Sequence, residues 1–181
     1  MIKKEIEVED LSKEKSTEIV EEINNLNSQK GQQTLNLKLH STIGDLENAM
    51  AIIELIHGSE NVDLAINVSG EINEAGTILT AAGKPGERVA SQFASFTLNE
   101  SPYPEGSKEK DLNISDKNIF ETLTQLTGKK KLILECIING KAIDTNQARK
   151  LKIIDRVEKF KSKYRKRNSR TKKAEPVIKA T

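Results

Sequence analysis

The feature that most constrains this chain is an alternation of two hydrophobic periods between Ile2 and Val157. Apolar residues at every second position read as a strand, and apolar residues at i, i+3, i+4 and i+7 read as a helix. Ile2 to Val8 alternates as a strand. Ser12, a fitting N-cap, precedes a helical stripe of Ile19, Val20, Ile23 and Leu26. Thr34 to Leu39 alternates again, with Leu35, Leu37 and Leu39 set against Asn36 and Lys38. Leu46, Ala49, Met50, Ile53 and Ile56 form the clearest helical stripe, closed by Gly58 as a C′ glycine. Val62, Leu64, Ile66 and Val68 mark a third strand, which passes through Gly70 into a small-residue helix over Ile72 to Ala82. Strand, helix, strand in this order requires parallel, right-handed crossovers. The expected class is α/β, with three such units stacked into one core.

The rest of the chain is more broken. "GERVA" and "FASFTLN" predict two short strands, and Glu100 to Asn113 is a polar loop with two of the four prolines. A helix is expected from about Ser115 to Gly128. "KKKLILECII" fits helix or strand by pattern. Asp144 and Gln147 have capping-box spacing, and "KIIDRV" reads as the last strand. The chain divides at Val157 into a domain (1–157) and a basic tail (158–181). The tail is read as helical to about Arg167 and disordered beyond it.

Composition sets limits on function. With 181 residues the chain can bury one core, and with 3% aromatics and no Trp that core must be aliphatic. The single cysteine, Cys136, excludes a disulfide framework or a thiolate metal site. His40 and His57 with scattered acids make no metal motif, and no cofactor is implied. His57 suits the negative end of its helix. The chain has no signal peptide and no apolar run near ~20 residues. It therefore reads as a cytoplasmic protein with no membrane span. Between Asp155 and Thr181, eleven Lys and Arg face three acids, so this end carries +8 and the remainder −6 within a net +2. Such a tail is open to an acidic partner or nucleic acid, or serves to solubilise.

Several segments, in order, resemble the Clp-type proteolytic subunit family of the Clp/crotonase superfamily. "LKLHSTIGDLENAMAIIELI" resembles that family's glycine-rich loop and helix, with His40, Ser41, Thr42, Ile43 and Gly44 where the family reads Asn-Ser-Pro-Gly-Gly. "SGEINEAGTILTAAGKPGERVA" resembles its nucleophile turn and helix. "RVASQFASFTLNE" resembles the segment carrying its histidine, and "IDTNQARKLKIIDRV" its closing segment. The resemblance implies a Clp/crotonase-like fold of stacked β-β-α units with parallel crossovers, and a peptidase with a Ser-His-Asp triad.

Carried over residue by residue, the triad is absent. The serine position falls on Glu74, the histidine position on Asn99 and the aspartate position near Cys136. The oxyanion-hole backbone falls on Ile43, with Gly44 beside it, and on Ala75. The resemblance thus implies a degenerate member: a non-catalytic subunit acting as a scaffold or binding protein. Its partners would be copies of itself or a Clp-type paralogue in a mixed ring. The alternative is a hydrolase or crotonase-like lyase with a relocated site. Its candidates are Glu74, Glu100 (at a crotonase glutamate position) and His40 paired with Ser41. Glu74 and Glu71 have a plainer reading as acids favoured by a helix N-terminus, and Cys136 as a small buried hydrophobe.

Overall fold

The computed structural model describes residues 3–160. The first half runs β1 (Lys3–Leu11), α1 (Lys13–Asn27), β2 (Gln33–Gly44), α2 (Leu46–His57) and β3 (Val62–Ser69). The second runs β4 (Glu71–Ile72), α3 (Glu74–Ala82), β5 (Arg88–Ser91), β6 (Ser95–Phe96), α4 (Ile114–Thr127), α5 (Lys130–Asn139), β7 (Ile143–Asp144), α6 (Thr145–Lys150) and β8 (Arg156–Glu158). The larger sheet has the order β1-β2-β3-β5-β8, with every neighbouring pair parallel. A smaller sheet has the order β4-β6-β7 and lies where β3 hands over to α3.

The predicted alternation explains how the layers stack. Leu35, Leu37 and Leu39 of β2 and Leu64, Ile66 and Val68 of β3 are buried, and join Ile19, Ile23, Ile52, Ile53, Ile78 and Leu79 of the helices in one aliphatic core. Each such side chain contributes roughly 1.5–3 kcal/mol on burial. The intervening residues form the opposite, polar face of the sheet. There Lys38 Nζ lies 2.6 Å from Glu5 Oε1, Asn36 Nδ2 donates to Glu5 Oε2 at 3.0 Å, and Asn67 Nδ2 donates to Asn36 Oδ1 at 2.7 Å. One partly buried ion pair closes the far edge. Arg88 Nη2 and Nε donate to the two Asp155 oxygens at 2.6 and 2.9 Å, and the Gly86 and Arg88 N–H groups donate to Oδ2.

The structure corrects several expectations. His40 to Gly44 is not a loop but the end of β2, because Ile43 and Gly44 still pair with Asp10 and Leu11 after a bulge. Helix α3 begins at Glu74 rather than Ile72, since Ile72 pairs with Phe96 and Asn73 is the cap. Gly58 is a C-cap in ordinary right-handed conformation (φ −80°), not a left-handed C′ residue. "KKKLILECII" is helix α5, stopped by Gly140 at φ +56°. The last strand is Arg156–Glu158, shorter and later than "KIIDRV" suggests, with Lys152 at φ +63° breaking the extended run before it. A tail helix does not start at residue 158, because Glu158 is still in β8. The remainder of that expected tail, from residue 161 on, lies outside the described residues.

Candidate functional site

Two close backbone approaches fix the end of β2, one against the turn between β3 and α3 and one against β1. Gly70 has φ +76°, and a Cβ on it would collide with Ser41 Oγ. Gly44 has φ +152°, and a Cβ there would stand 2.5 Å from Leu11 Cβ. Only glycine fits either place. Asn73 then ties the turn to the end of β2. Its N–H donates to Thr42 O at 3.1 Å, its Nδ2 donates to Gly44 O at 2.9 Å, and its Oδ1 accepts from the Gly76 N–H at 3.1 Å as the N-cap of α3.

This arrangement leaves Glu74 as the first residue of α3, on a cleft of about 220 Å³ with Gly44, Asp45, Ala75, Ser115 and Asp116. Burial raises the Glu74 carboxyl above the ordinary carboxylate range, and the charges of Glu100 and Asp116 push the same way. Glu100 itself is exposed, whereas Asp116 is buried. Asp116 Oδ2 accepts from Tyr103 Oη at 2.6 Å and from Asn113 Nδ2 at 2.9 Å, and its N–H caps on Asn113 Oδ1 at 2.8 Å.

The other predicted residues are placed as follows. Asn99 is buried, and its amide is fully engaged. Oδ1 accepts from the Ser101 N–H at 3.1 Å, while Nδ2 donates to Ser101 O and, at 3.1 Å, to Ile137 O. Cys136 sits half-buried on α5, one residue before that carbonyl, and burial raises its thiol pKa, helped by Glu135. Ala75 is buried, whereas Ile43 is 65% exposed. The expected His40–Ser41 pair does not form. His40 Nδ1 lies 2.7 Å from Ser69 Oγ on the polar sheet face, and Ser41 (φ +45°) packs on Gly70. The structure therefore brings Glu74, Gly44 and Ala75 to one cleft, with Glu100 close enough for its charge to act on Glu74, and leaves His40 outside it.

Sequence reasoning missed Asp116 and its partner Tyr103. The Asn-x-x-Asp spacing of Asn113 and Asp116 is an N-cap signal that would have drawn attention to the first. Chemically, the cleft lining supplies carboxylates, a serine hydroxyl and backbone, but no imidazole, thiol or amine. A carboxylate at the head of α3 opposes a developing oxyanion where a hydrolase needs positive potential. Among the described residues, no cluster of His, Cys, Asp and Glu is arranged to hold a metal ion, and no helix is long and apolar enough to cross a membrane.

Comparison with known proteins gives a consistent result. The model of the Clp protease family matches residues 3–159. A crystal structure of a peptidase from Plasmodium falciparum is similar at TM-score 0.69 and 20% identity, over 85% of this chain and 94% of that one. The ClpP protease catalytic domain from Plasmodium falciparum is similar at TM-score 0.68 and 15% identity, over 88% of this chain and 86% of that one. At these identities the two structures share the fold alone with this chain. No curated protein matches.

Proposed function

Because the chain belongs to the Clp protease family, we propose that it is a member that keeps the fold and has lost the peptidase, acting as an oligomeric scaffold or binding subunit. The observation that carries this reading is the state of Asn99. It stands at the position where the family resemblance expects the histidine, and it can neither accept a proton near neutral pH nor turn toward Glu74 without breaking its bonds to Ser101 and Ile137. With Glu74 in place of a serine and Cys136 in place of an aspartate, no nucleophile–base–acid relay remains. The partners are further copies of this chain or a Clp-type paralogue. A fluorophosphonate probe and a casein-hydrolysis assay test the proposal. Both are expected to stay blank, and labelling mapped to a serine would overturn it.

One observation favours a second reading. Glu74 is half-buried with its carboxyl pKa raised beside Glu100 and Asp116, which is how a general acid is tuned. A lyase or hydrolase using Glu74 and Glu100 would lose turnover in Glu74→Gln with its fold intact.

A further inference from the structure

We infer that the outer edge of β1 is a docking strand for an extended segment of a partner protein that carries Lys or Arg at alternate positions. Strand β1 stands at one end of the larger sheet and pairs only with β2 among the described residues. From Lys3 to Val8 it runs in unbroken parallel register with Thr34 to Leu39, and the register shifts only beyond Val8. This regular stretch turns a row of backbone N–H and C=O groups away from β2. Nothing among the described residues pairs with that row. It is a template on which one more strand can add.

The side chains identify the occupant. Ile6 and Val8 are buried, so the edge offers an incoming strand no apolar seat. Glu5 and Glu7 alternate with them on the open face of the sheet, with side chains 48% and 80% exposed. Lys38 Nζ lies 2.6 Å from Glu5 Oε1 and 3.9 Å from Glu7 Oε1. One lysine is thus shared between two carboxylates, which leaves a net negative charge. The surroundings add to it, since β1 and α1 together hold four Lys and eight Asp or Glu. A cationic strand is therefore drawn to this edge and an acidic one repelled. Side chains on one face of an extended strand repeat every ~6.8 Å, so cations at alternate positions oppose both Glu5 and Glu7. A second copy of β1 fits worse. Antiparallel pairing centred on Glu5, Ile6 or Glu7 sets Glu5 against Glu5, Glu5 against Glu7, or Glu7 against Glu7, and like charges directly opposite destabilise. The acids that keep copies of β1 apart select a strand of opposite charge. This edge does not include the Glu74 cleft, and the claim stands whether or not the peptidase is lost.

Fluorescence anisotropy with full-length protein and a short, labelled, end-blocked peptide of alternating Lys and Thr tests this. The peptide should bind at about 0.1 M salt and be released at about 1 M. A peptide of the same composition with its lysines grouped at one end should bind more weakly. So should the alternating peptide N-methylated throughout, which cannot donate to the β1 carbonyls. Glu5→Gln with Glu7→Gln should weaken binding roughly two- to thirtyfold. Glu5→Lys with Glu7→Lys should instead bind an alternating peptide of Glu and Thr, a reversal that an unfolded variant could not show. Equal affinity for the grouped peptide, the N-methylated peptide or the glutamine variant would overturn the inference. So would an intermolecular disulfide in Glu7→Cys mapped to that position and formed without peptide, which would seat a second copy on the edge.

Discussion

At the scale of single residues, Glu74 is the informative position. Its folded pKa is raised, first by burial and then by Glu100 and Asp116. The folded state therefore holds this proton more tightly than the unfolded chain does, and stability falls as pH rises from about 4.3 through the raised folded value. Glu74→Gln removes the ionised form and its penalty. The variant should have a higher Tm than the parent at pH 7 and an equal one at about pH 4, and thermal unfolding at the two pH values checks this. A lower Tm at pH 7 would show that the carboxylate makes a favourable contact in the cleft. Glu74 is legible in the sequence as a first-turn acid following a strand and a glycine turn. Asp116 is legible only as a capping partner of Asn113, not as a member of the cleft, because Tyr103, which fixes it, lies in a loop whose path no hydrophobic period records. The partner of His40 is hidden for a related reason. Chain proximity suggests Ser41, whereas strand register sets His40 opposite Ser69.

At the scale of elements, long strands and helices are legible and short ones are not. Strands β2 and β3 carry a clear period of two, and α1 and α2 a clear helical stripe. Strands β4, β6 and β7 have two residues each, too few for any period, and exist because neighbouring chain is held beside them. The end of β2 reads as a loop from its polar His40 and Ser41 and its glycine, although Thr42 and Ile43 are β-branched and favour extended backbone. The three-residue strand β8 is likewise held from outside, by Asp155. Burial alone would raise the Asp155 pKa, but the Arg88 guanidinium and the Arg88 and Gly86 N–H groups outweigh it and hold the carboxyl below its usual range. The pair thus adds stability above the ordinary carboxylate pKa, and loses it as pH falls through the depressed folded value. Asp155→Asn leaves Arg88, only 6% exposed at its side chain, without its counter-charge. The expected cost is about 3 kcal/mol near neutral pH, or roughly 6–12 °C in Tm, shrinking in acid. Lys84→Ala, which breaks an exposed pair with Asp63, should cost about 0–1 kcal/mol. Equal effects in denaturant titration would show that Asp155 is not a special anchor of the sheet edge.

At the scale of the whole molecule, the helices among the described residues cover the sheet on one side only. Parallel sheets usually bury both faces. Here the helices pack on one face, and the other presents Glu5, Glu7, Lys38, His40, Asp63 and Asn67 among the described residues. Its composition is that of a wet, charged surface, so a partner seated on it would be held through ion pairs and hydrogen bonds rather than through an apolar core. The proposed assembly and the proposed docking edge then make separable claims about size. Light scattering of full-length protein at about 0.1 M salt, where the Debye length is about 10 Å, should give a mass that is a multiple of the 20.1 kDa chain. Raising the salt to about 1 M, where that length is about 3 Å, should shift the population toward the single chain if the charged face is the contact. A 20.1 kDa species at low salt would remove the scaffold reading while leaving the docking edge intact. A multimer that ignores salt would keep the assembly but move its contact off this face, onto apolar positions such as Ile43 or Ile114, which are 65% and 83% exposed.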